Sequence, residues 1–374
     1  MYINYGKRLP FGAFLGAYSN VSTLKLASVL AEDACEKSPV SPCGFALGCV
    51  LQAGCGQAFA KNVLLECEEP MNIPALTINK VCGSGLASII YGLKTLAFDD
   101  NTFSFLAGGV ENLSQAPHLA NLRRGKKMGD LKFQDHMILD GLKDVSSGSL
   151  MGELAEYLAF KYNISREEQE DYVVKSFHDY QENKSLIAKD VIPCILNGKT
   201  LLQEDEAPNF VNLEKMKKLK PAFLPDGSIT AATSSSLADG AAFVMISREK
   251  VCDDCVEILG VAEYSGHPKS FAEAPVFAVS RLLKKIGKEA SDIKFFEINE
   301  AFAVVPLAFQ KAYGLKREQI NPYGGACIVG HPLAASGVRI LINLIRALRE
   351  SGGGVGIASV CIGGGEGLAI AIEV

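Results

Sequence analysis

The stretch TINKVCGSGLASI, residues 77–89, holds a single cysteine between an apolar run and a series of small residues. The residues PALTI at 74–78 are typical of a buried strand, and residues 85–98 carry the apolar face of a helix. Cys82 therefore lies where a strand gives way to a helix. Its neighbours are too small to cover the sulfur, which leaves room for a second molecule to reach it.

Residues further along the chain repeat this plan. In both stretches a turn of small residues leads into Ser-Gly, an apolar helix and a strand that ends in Gly-Gly-x-Glu. The first stretch runs from Ser84 through residues 103–112, and the second runs from Ser336 through residues 355–367. This similarity indicates two copies of one α/β unit within the chain.

The residues between the two copies differ in composition. Residues 112–237 are richer in charge, and their clearest element is a helix predicted at about 165–183. Ser165 and Glu168 have the spacing of a capping box, which marks the start of that helix. We interpret this part as an excursion over the surface, inserted between the duplicated halves.

The 374 residues are enough for two or three domains with a large core. A net charge of −5 gives no reason to expect a nucleic-acid partner, and no apolar run approaches the roughly 18 residues that span a membrane. The first residues lack the pattern of a signal or transit peptide. The eleven cysteines lack the spacing of a disulfide framework or of a paired metal site. We therefore expect a cytoplasmic protein with reduced thiols and no metal.

Cys82 and His331 are the first candidates for chemistry. A helix that begins just after Cys82 directs its unpaired N–H groups and its positive dipole end at the sulfur, which predicts a lowered thiol pKa. A backbone N–H at that turn can also stabilise a developing oxyanion. His331 occupies the equivalent turn of the second copy. If the copies pack face to face, the two turns meet and form a nucleophile–base pair.

Two more polar side chains follow strand-like runs. Cys361 lies at the end of one run, in SVCIGGGEG, where functional side chains of α/β sheets gather. Asn299 follows another run, where it could hold a water molecule or a carbonyl by hydrogen bonds, or cap a helix. By contrast, no stretch fits a serine-hydrolase elbow, a dinucleotide-binding glycine pattern or a phosphate-binding loop.

Four blocks of the sequence, in this order, resemble the signature motifs of the thiolases: NKVCGSG, NEAFA, GHPLAASG and CIGGGEG. The chain is most similar to the short-chain, biosynthetic type. The resemblance implies an α/β thiolase fold, in which duplicated βαβαβαββ halves stack in five layers (αβαβα) with an inserted loop domain. It divides the chain into an N-terminal half at 1–111, completed by about 238–258, a loop domain at 112–237 and a C-terminal half at 259–374.

The matching motifs imply a role for each candidate. Cys82 would accept the acyl group, and His331 would activate it and donate to the thioester oxygen. Cys361 would take the α-proton of the second substrate. Asn299 would hold a water molecule in one oxyanion hole, and the backbone N–H groups of Cys82 and Gly363 would form the other. The implied activity is that of an acetyl-CoA C-acetyltransferase, 2 acetyl-CoA ⇌ acetoacetyl-CoA + CoA.

The resemblance also implies the partners of the protein. Acetyl-CoA, acetoacetyl-CoA and CoA are its substrates and products, so no separate cofactor is expected. The residues expected to contact coenzyme A or the acyl group are Ser235, Met151, Phe223, Phe302, Lys218 and Lys220. Members of the family form homodimers, and residues 121–141 resemble the loop that joins two dimers into a homotetramer.

Two other readings remain open. The first is a degradative 3-ketoacyl-CoA thiolase that acts on longer chains. It stays open because Leu150, in the region that shapes the acyl pocket, stands where short-chain members often carry a histidine. A non-catalytic, CoA-binding descendant is the second, because the residues just before Pro10 depart from the family pattern. Condensing synthases that act on carrier proteins share the fold, but they are expected to differ at NEAFA.

Overall fold

The structure, a computed structural model, describes residues 1–67 and 72–374, which form an α/β fold. The strands before residue 113 are Tyr2–Arg8 (β1), Gly12–Ala13 (β2), Phe45–Gly48 (β3), Ala75–Ile78 (β4) and Ser104–Asn112 (β5). The helices in this part are Thr23–Lys37 (α1), Phe59–Glu66 (α2) and Ser84–Phe98 (α3). The elements β4, α3 and β5 lie where the apolar patterns predicted them.

The middle segment consists of short elements around one long helix. In chain order they are His118–Leu119 (β6), Gln134–Asp135 (β7), Met151–Lys161 (α4), Arg166–Ala188 (α5), Cys194–Leu196 (β8), Lys199–Leu202 (β9) and Leu213–Met216 (α6). The predicted capping box begins α5, because the Glu168 N–H donates to Ser165 Oγ at 3.1 Å and the Ser165 N–H donates to the Glu168 carboxylate at 2.6 Å. The helix continues past its expected end because its last turn buries Ile187 in the core.

The remaining chain returns to longer strands and helices. The strands are Ala238–Ser247 (β10), Val256–Ser265 (β11), Phe295–Ile298 (β12), Val355–Ile362 (β13) and Glu366–Glu373 (β14). The helices are Ala274–Ile286 (α7), Val304–Tyr313 (α8), Ala326–Val329 (α9) and Leu333–Glu350 (α10). Helix α10 begins before the predicted Ser336, because the N–H groups of Ala335 and Ser336 already bond to the Pro332 carbonyl.

One continuous sheet connects both ends of the chain. Its strand order is β4-β3-β5-β10-β1-β11-β14-β13-β12, and β2 pairs with β10 off this path. Strand β3 is parallel to β4 and β5, and β12 is parallel to β13, whereas the other neighbours are antiparallel. Two residue pairs join the halves, Tyr2 with Glu257 and Ile3 with Val256. This junction between β1 and β11 was not predicted.

Helices cover both halves of this sheet and fill the space between them. Helix α3 contacts β3 and β5 of one half and β14 of the other, and α10 contacts β5, β10, β12 and β13. Helices α1 and α2 pack on the first half alone, and α7 packs on the second. These contacts confirm the predicted α/β arrangement of five layers, αβαβα.

Helices α3 and α10 approach each other closely where their first turns meet. A Cβ atom on Gly85 of α3, or on Gly109 of β5, would overlap the carbonyl oxygen of Ala334 in α10. Only glycine fits at these two positions, because the backbones themselves are in contact. Since Cys82 precedes α3 and His331 precedes α10, this contact places the first turns of the two helices that follow them side by side.

The stretch Val81–Phe98 is long and apolar enough to cross a membrane, contrary to the expectation from the sequence. More than half of it is buried within the protein, and its helix packs between both halves of the sheet. A helix that is apolar on most of its surface is typical of a core. The middle layer therefore explains the hydrophobicity of this stretch.

Candidate active site

The turn that contains Cys82 is held by hydrogen bonds from side chains within the same loop. The Val81 N–H donates to Asn79 Oδ1 at 3.0 Å, and the Lys80 N–H donates to Ser84 Oγ at 2.9 Å. The Ser84 hydroxyl donates in turn to the Val81 carbonyl at 2.6 Å. Val81 has a left-handed φ of 45°, which β-branched residues rarely adopt. The turn is thus strained but well braced, and it fixes the position of the half-buried Cys82.

The end of β13 meets this turn from the second half of the chain. Ile362 packs where a Cβ atom on Gly83 would lie, so a glycine is required there. The backbone N–H groups of Gly363 and of Cys82 itself lie close enough to the Cys82 sulfur to stabilise a negative charge on it. Cys361 is buried, and its thiol interacts electrostatically with that of Cys82. The structure therefore brings Cys82, Cys361 and Gly363 together.

Burial raises the pKa of both thiols. The pKa of Cys82 rises to about 12 because the surrounding protein removes water from the sulfur, although the two N–H donors oppose this rise. The pKa of Cys361 is also raised, first by burial and then by the neighbouring Cys82. The expected lowering of the Cys82 pKa is therefore wrong, because the helix terminus does not offset the lost hydration. Both raised pKa values favour the thiol over the thiolate at neutral pH.

His331 has a hydrogen-bonding partner at each ring nitrogen. Its Nδ1 lies 2.5 Å from Ser336 Oγ, and its Nε2 lies 3.4 Å from Asn299 Nδ2. The Ser336 hydroxyl also donates to the Pro332 carbonyl at 3.2 Å. The Ser336 hydroxyl has only one proton, and it donates that proton to the Pro332 carbonyl. Its oxygen must therefore accept from His331 Nδ1, which assigns the ring proton to Nδ1 and leaves Nε2 as an acceptor. Ser336 thus sets the tautomer of His331.

Burial keeps the His331 imidazole neutral. Its pKa is lowered to about 3, first by loss of hydration and then by repulsion from the buried guanidinium of Arg339. A neutral ring with its proton on Nδ1 leaves Nε2 as a hydrogen-bond acceptor, and Asn299 Nδ2 faces it at 3.4 Å. Asn299 is fully buried, and its Oδ1 has no protein partner within residues 1–67 and 72–374. That oxygen is available to a water molecule or a substrate.

Glu111 links this site to both halves of the fold, and the sequence reasoning missed it. Its carboxylate accepts the N–H groups of Val50, Leu51 and Ala334, at 3.2, 2.9 and 3.2 Å. Burial raises the pKa of Glu111 to about 7, while these N–H donors oppose the rise. The available signal was a glutamate inside the otherwise apolar strand β5. Its partner Ala334 lies too far along the chain for sequence spacing to reveal.

An apolar cavity of about 670 Å³ opens beside His331. The predicted contact residues that line it are Ser235, Met151, Phe223 and Phe302. Phe223 and Phe302 meet edge to face, with their ring centroids 5.7 Å apart. Lys218 and Lys220 are exposed, and they are not among the described residues that line the cavity. The structure therefore brings four of the six predicted contact residues to one wall.

Met151 lies between the cavity and the end of β13. A Cβ atom on Gly363 would lie 3.7 Å from the Met151 methyl group. The next residue, Gly152, lies directly under the ring of Phe223 and has no room for a Cβ atom. The first turn of α4 thus positions both Met151 and Phe223. Cys82 and Cys361 are not among the described residues that line the cavity.

Comparison with known proteins identifies related chains along the whole length. The thiolase N-terminal domain matches residues 1–250, and the thiolase C-terminal domain matches residues 253–374. Acetyl-CoA acetyltransferase 1 of Arabidopsis thaliana is 37% identical, over 98% of this chain and 92% of its own. A probable acetyl-CoA acyltransferase of Staphylococcus aureus (strain N315) is 39% identical, over 98% of this chain and 97% of its own.

A solved structure matches the fold equally well. The crystal structure of a thiolase from Ascaris suum in complex with coenzyme A has a TM-score of 0.92 and 34% sequence identity to this chain. The match covers 100% of this chain and 99% of that one. Both family domains and this whole-length structural match agree with the signature blocks. The chain therefore belongs to the thiolase family of acyltransferases.

Proposed function

We propose that this thiolase is an acetyl-CoA C-acetyltransferase, which catalyses 2 acetyl-CoA ⇌ acetoacetyl-CoA + CoA. The observation that carries the proposal is the neutral His331, with an accepting Nε2, on the wall of an apolar cavity. The similarity to an Arabidopsis thaliana acetyl-CoA acetyltransferase and to an Ascaris suum thiolase in complex with coenzyme A supports coenzyme A thioesters as the substrate class. Coenzyme A is then a substrate and a product, and the proposal requires no other cofactor.

In the first half-reaction, Cys82 Sγ attacks the carbonyl carbon of acetyl-CoA. Its proton passes to His331 Nε2, while the departing coenzyme A thiolate takes a proton from Cys361. The N–H groups of Cys82 and Gly363 lie beside the sulfur, which supports their proposed role as donors to the oxyanion. The result is an acetyl group on Cys82, a thiolate at Cys361 and an imidazolium at His331. A cysteine suits this step because exchange between two thioesters is nearly isoenergetic.

In the second half-reaction, the Cys361 thiolate removes a proton from the methyl group of a second acetyl-CoA. Its raised pKa supports this role, because a thiol that binds its proton tightly is a strong base once ionised. Imidazolium and the water held by Asn299 stabilise the enolate oxygen, each by about 3–4 kcal/mol. The enolate carbon then attacks the acetyl group, and the Cys82 thiolate recovers its proton from His331.

Intact-protein mass spectrometry after brief incubation with acetyl-CoA tests the proposal. We expect one acetyl group, on the peptide that contains Cys82, and no acetyl group on the Cys82→Ala variant. The Cys194→Ser variant is a matched control, because Cys194 is buried in another part of the core and its replacement should leave acetylation unchanged. Acetylation of another cysteine, or none in the intact protein, would contradict the proposed chemistry. The latter result would support a non-catalytic, CoA-binding descendant.

A specific observation also favours the longer-chain alternative. The cavity wall contributed by the middle segment is apolar, and it contains Met137, Ile138, Leu142 and Leu150. An apolar wall stabilises additional methylene groups by about 0.8 kcal/mol each. We therefore propose comparing thiolysis rates of acetoacetyl-CoA and a longer 3-ketoacyl-CoA. A higher kcat/KM on the longer substrate, lost in Leu150→His, would identify a degradative 3-ketoacyl-CoA thiolase.

We further propose that the protein acts as a homodimer or homotetramer. Strand β4 ends the sheet on one side, and an unpaired edge is a suitable surface for a second copy. Residues 121–134 are all exposed, which is consistent with their proposed role in joining dimers. Sedimentation velocity at assay concentration distinguishes the assemblies, and deletion of residues 121–134 should reduce a tetramer to a dimer. A monomeric active enzyme would contradict both proposals.

A further inference from the structure

Two fully buried side chains of opposite charge face each other without touching. Glu297 on β12 is 0% exposed and Arg339 on α10 is 1% exposed, and their closest oxygen and nitrogen atoms are 4.0 Å apart. That separation is too long for a hydrogen bond. In the described part of the chain, neither carboxylate oxygen of Glu297 has a hydrogen-bond partner. The same is true of all three guanidinium nitrogens of Arg339.

Neighbouring charged groups do not satisfy these five atoms. Glu300 is the nearest acidic candidate, but its oxygens already accept from the Tyr172 hydroxyl at 2.7 Å and from the Cys327 N–H at 3.0 Å. Asp205 is likewise occupied, because Arg8 binds it through two hydrogen bonds of 2.6 and 2.7 Å. Arg317, the other cation that acts on Glu297, donates to the Ile320 carbonyl and to Asp179.

Buried polar atoms without a partner carry a free-energy penalty, and proteins usually satisfy them with ordered water. A water molecule placed beside the line between the two groups can reach both of them, because each hydrogen bond needs about 2.9 Å. A carboxylate and a guanidinium together offer more than the two to four partners that a buried water molecule needs. This site is therefore chemically suited to water.

The position of the pair connects it with the reactive groups. Glu297 lies on the strand that ends just before Asn299, and Arg339 lies on the helix that contains Ser336 and follows His331. Asn299 Nδ2 and His331 Nε2, which lie just outside these two elements, are 3.4 Å apart. A link between β12 and α10 would therefore restrain the distance between the two side chains.

We propose that ordered water molecules bridge Glu297 and Arg339, and that this hydrated ion pair is a positioning device that fixes Asn299 against His331. The positioning part rests on the proposed acetyltransferase function, whereas the water and stability parts do not. The two charges are not equivalent, because a carboxyl group can accept a proton but a guanidinium cannot lose one in a protein. Burial raises the pKa of Glu297, so this carboxyl group takes a proton readily once the counter-charge of Arg339 is removed.

This asymmetry predicts the order of stabilities of three variants at pH 7. In Glu297→Gln a buried guanidinium loses its counter-charge, so the Tm should fall by about 5 °C or more. In Arg339→Met the carboxyl group takes a proton, so the fall should be clearly smaller. Arg346→Met is a matched control on the same helix, because Arg346 binds Asp190 near the surface, at 2.8 Å, and its loss should change the Tm least. An Arg339→Met loss equal to or larger than the Glu297→Gln loss would overturn the assignment.

The positioning role is tested by separating kcat from KM in the folded variants. Arg339→Met should lower kcat about tenfold to a hundredfold, because small misplacements of catalytic groups have effects of this size. Its KM for acetyl-CoA should stay unchanged, since neither residue lines the cavity. Arg346→Met should keep both constants. A wild-type kcat in Arg339→Met would overturn the positioning role.

A high-resolution crystal structure of the unmodified protein tests the water directly. Ordered water in hydrogen-bonding contact with both Glu297 and Arg339 is the expected result. A direct hydrogen bond between the two side chains would overturn it. Absence of acetylation at Cys82 in the intact protein would refute the acetyltransferase proposal. It would leave the bridging water and the order of stabilities untouched, because these are measured without enzyme activity.

Discussion

The depressed pKa of His331 predicts how the stability of the fold depends on pH. In the folded protein the pKa of this ring is about 3, against 6.5 for an ordinary histidine. The unfolded chain therefore binds a proton at pH 5 that the folded chain does not. The contribution to stability is fully present above pH 6.5, and it is lost as the pH falls from 6.5 toward 3.

The magnitude at pH 5 follows from the two pKa values. Each unit between the unfolded-state pKa and the solution pH contributes about 1.4 kcal/mol, so protonation at pH 5 favours unfolding by about 2 kcal/mol. His331→Asn removes this titration while keeping a neutral polar side chain. The stability advantage of the unmodified protein over His331→Asn should therefore shrink by about 2 kcal/mol between pH 7 and pH 5.

Urea unfolding at the two pH values measures this change, with stabilities taken from linear extrapolation. The matched control is His178→Asn, because His178 is exposed on α5 and its replacement should give the same stability difference at both values. If the difference for His331→Asn is the same at pH 7 and pH 5, the ring is not held neutral by burial. Its assignment as the base that accepts the Cys82 proton would then lose its physical support.

Three further substitutions test separate parts of the structure. Cys361→Ala should keep acetylation by mass spectrometry but lose deuterium exchange at the acetyl-CoA methyl group, and loss of both would contradict the division between the two thiols. Gly152→Ala should displace the Phe223 ring and raise KM for acetyl-CoA several-fold with little change in kcat; an unchanged KM would remove Phe223 from the substrate wall. Asp205→Ala should lower the free energy of unfolding by about 3–5 kcal/mol, because it leaves Arg8 buried without its two hydrogen bonds, and a loss below about 1 kcal/mol in urea would contradict this.

The fold was predictable where local pattern carries the information. The capping box of Ser165 and Glu168 begins a helix because its two hydrogen bonds involve residues three apart. Strand β5 follows from a continuous apolar run. The junction between β1 and β11 was not predictable in this way, because pairing Tyr2 with Glu257 leaves no trace in either local pattern. Long-range pairing depends on the packed core.

The sequence pointed to residues that the structure brings together in part, because Cys82, Cys361 and Gly363 lie close to one another and Asn299 lies beside His331. The electrostatics of the site were not predictable. The position of Cys82 before a helix predicted the wrong direction for its pKa, because the hydration that a sulfur loses depends on neighbours from distant parts of the chain. Glu111 and Arg339 could not be identified from the sequence either, because each faces a residue in a distant part of the chain.

The backbone contact of Gly85 and Gly109 with Ala334 makes the packing of the two halves sensitive to a single carbon atom. A methyl group added at either glycine would push α10 away from α3 and β5. The loops that carry Cys82 and His331 would then move apart together with the helices that follow them. A substitution on the outer helices, by contrast, leaves this contact unchanged.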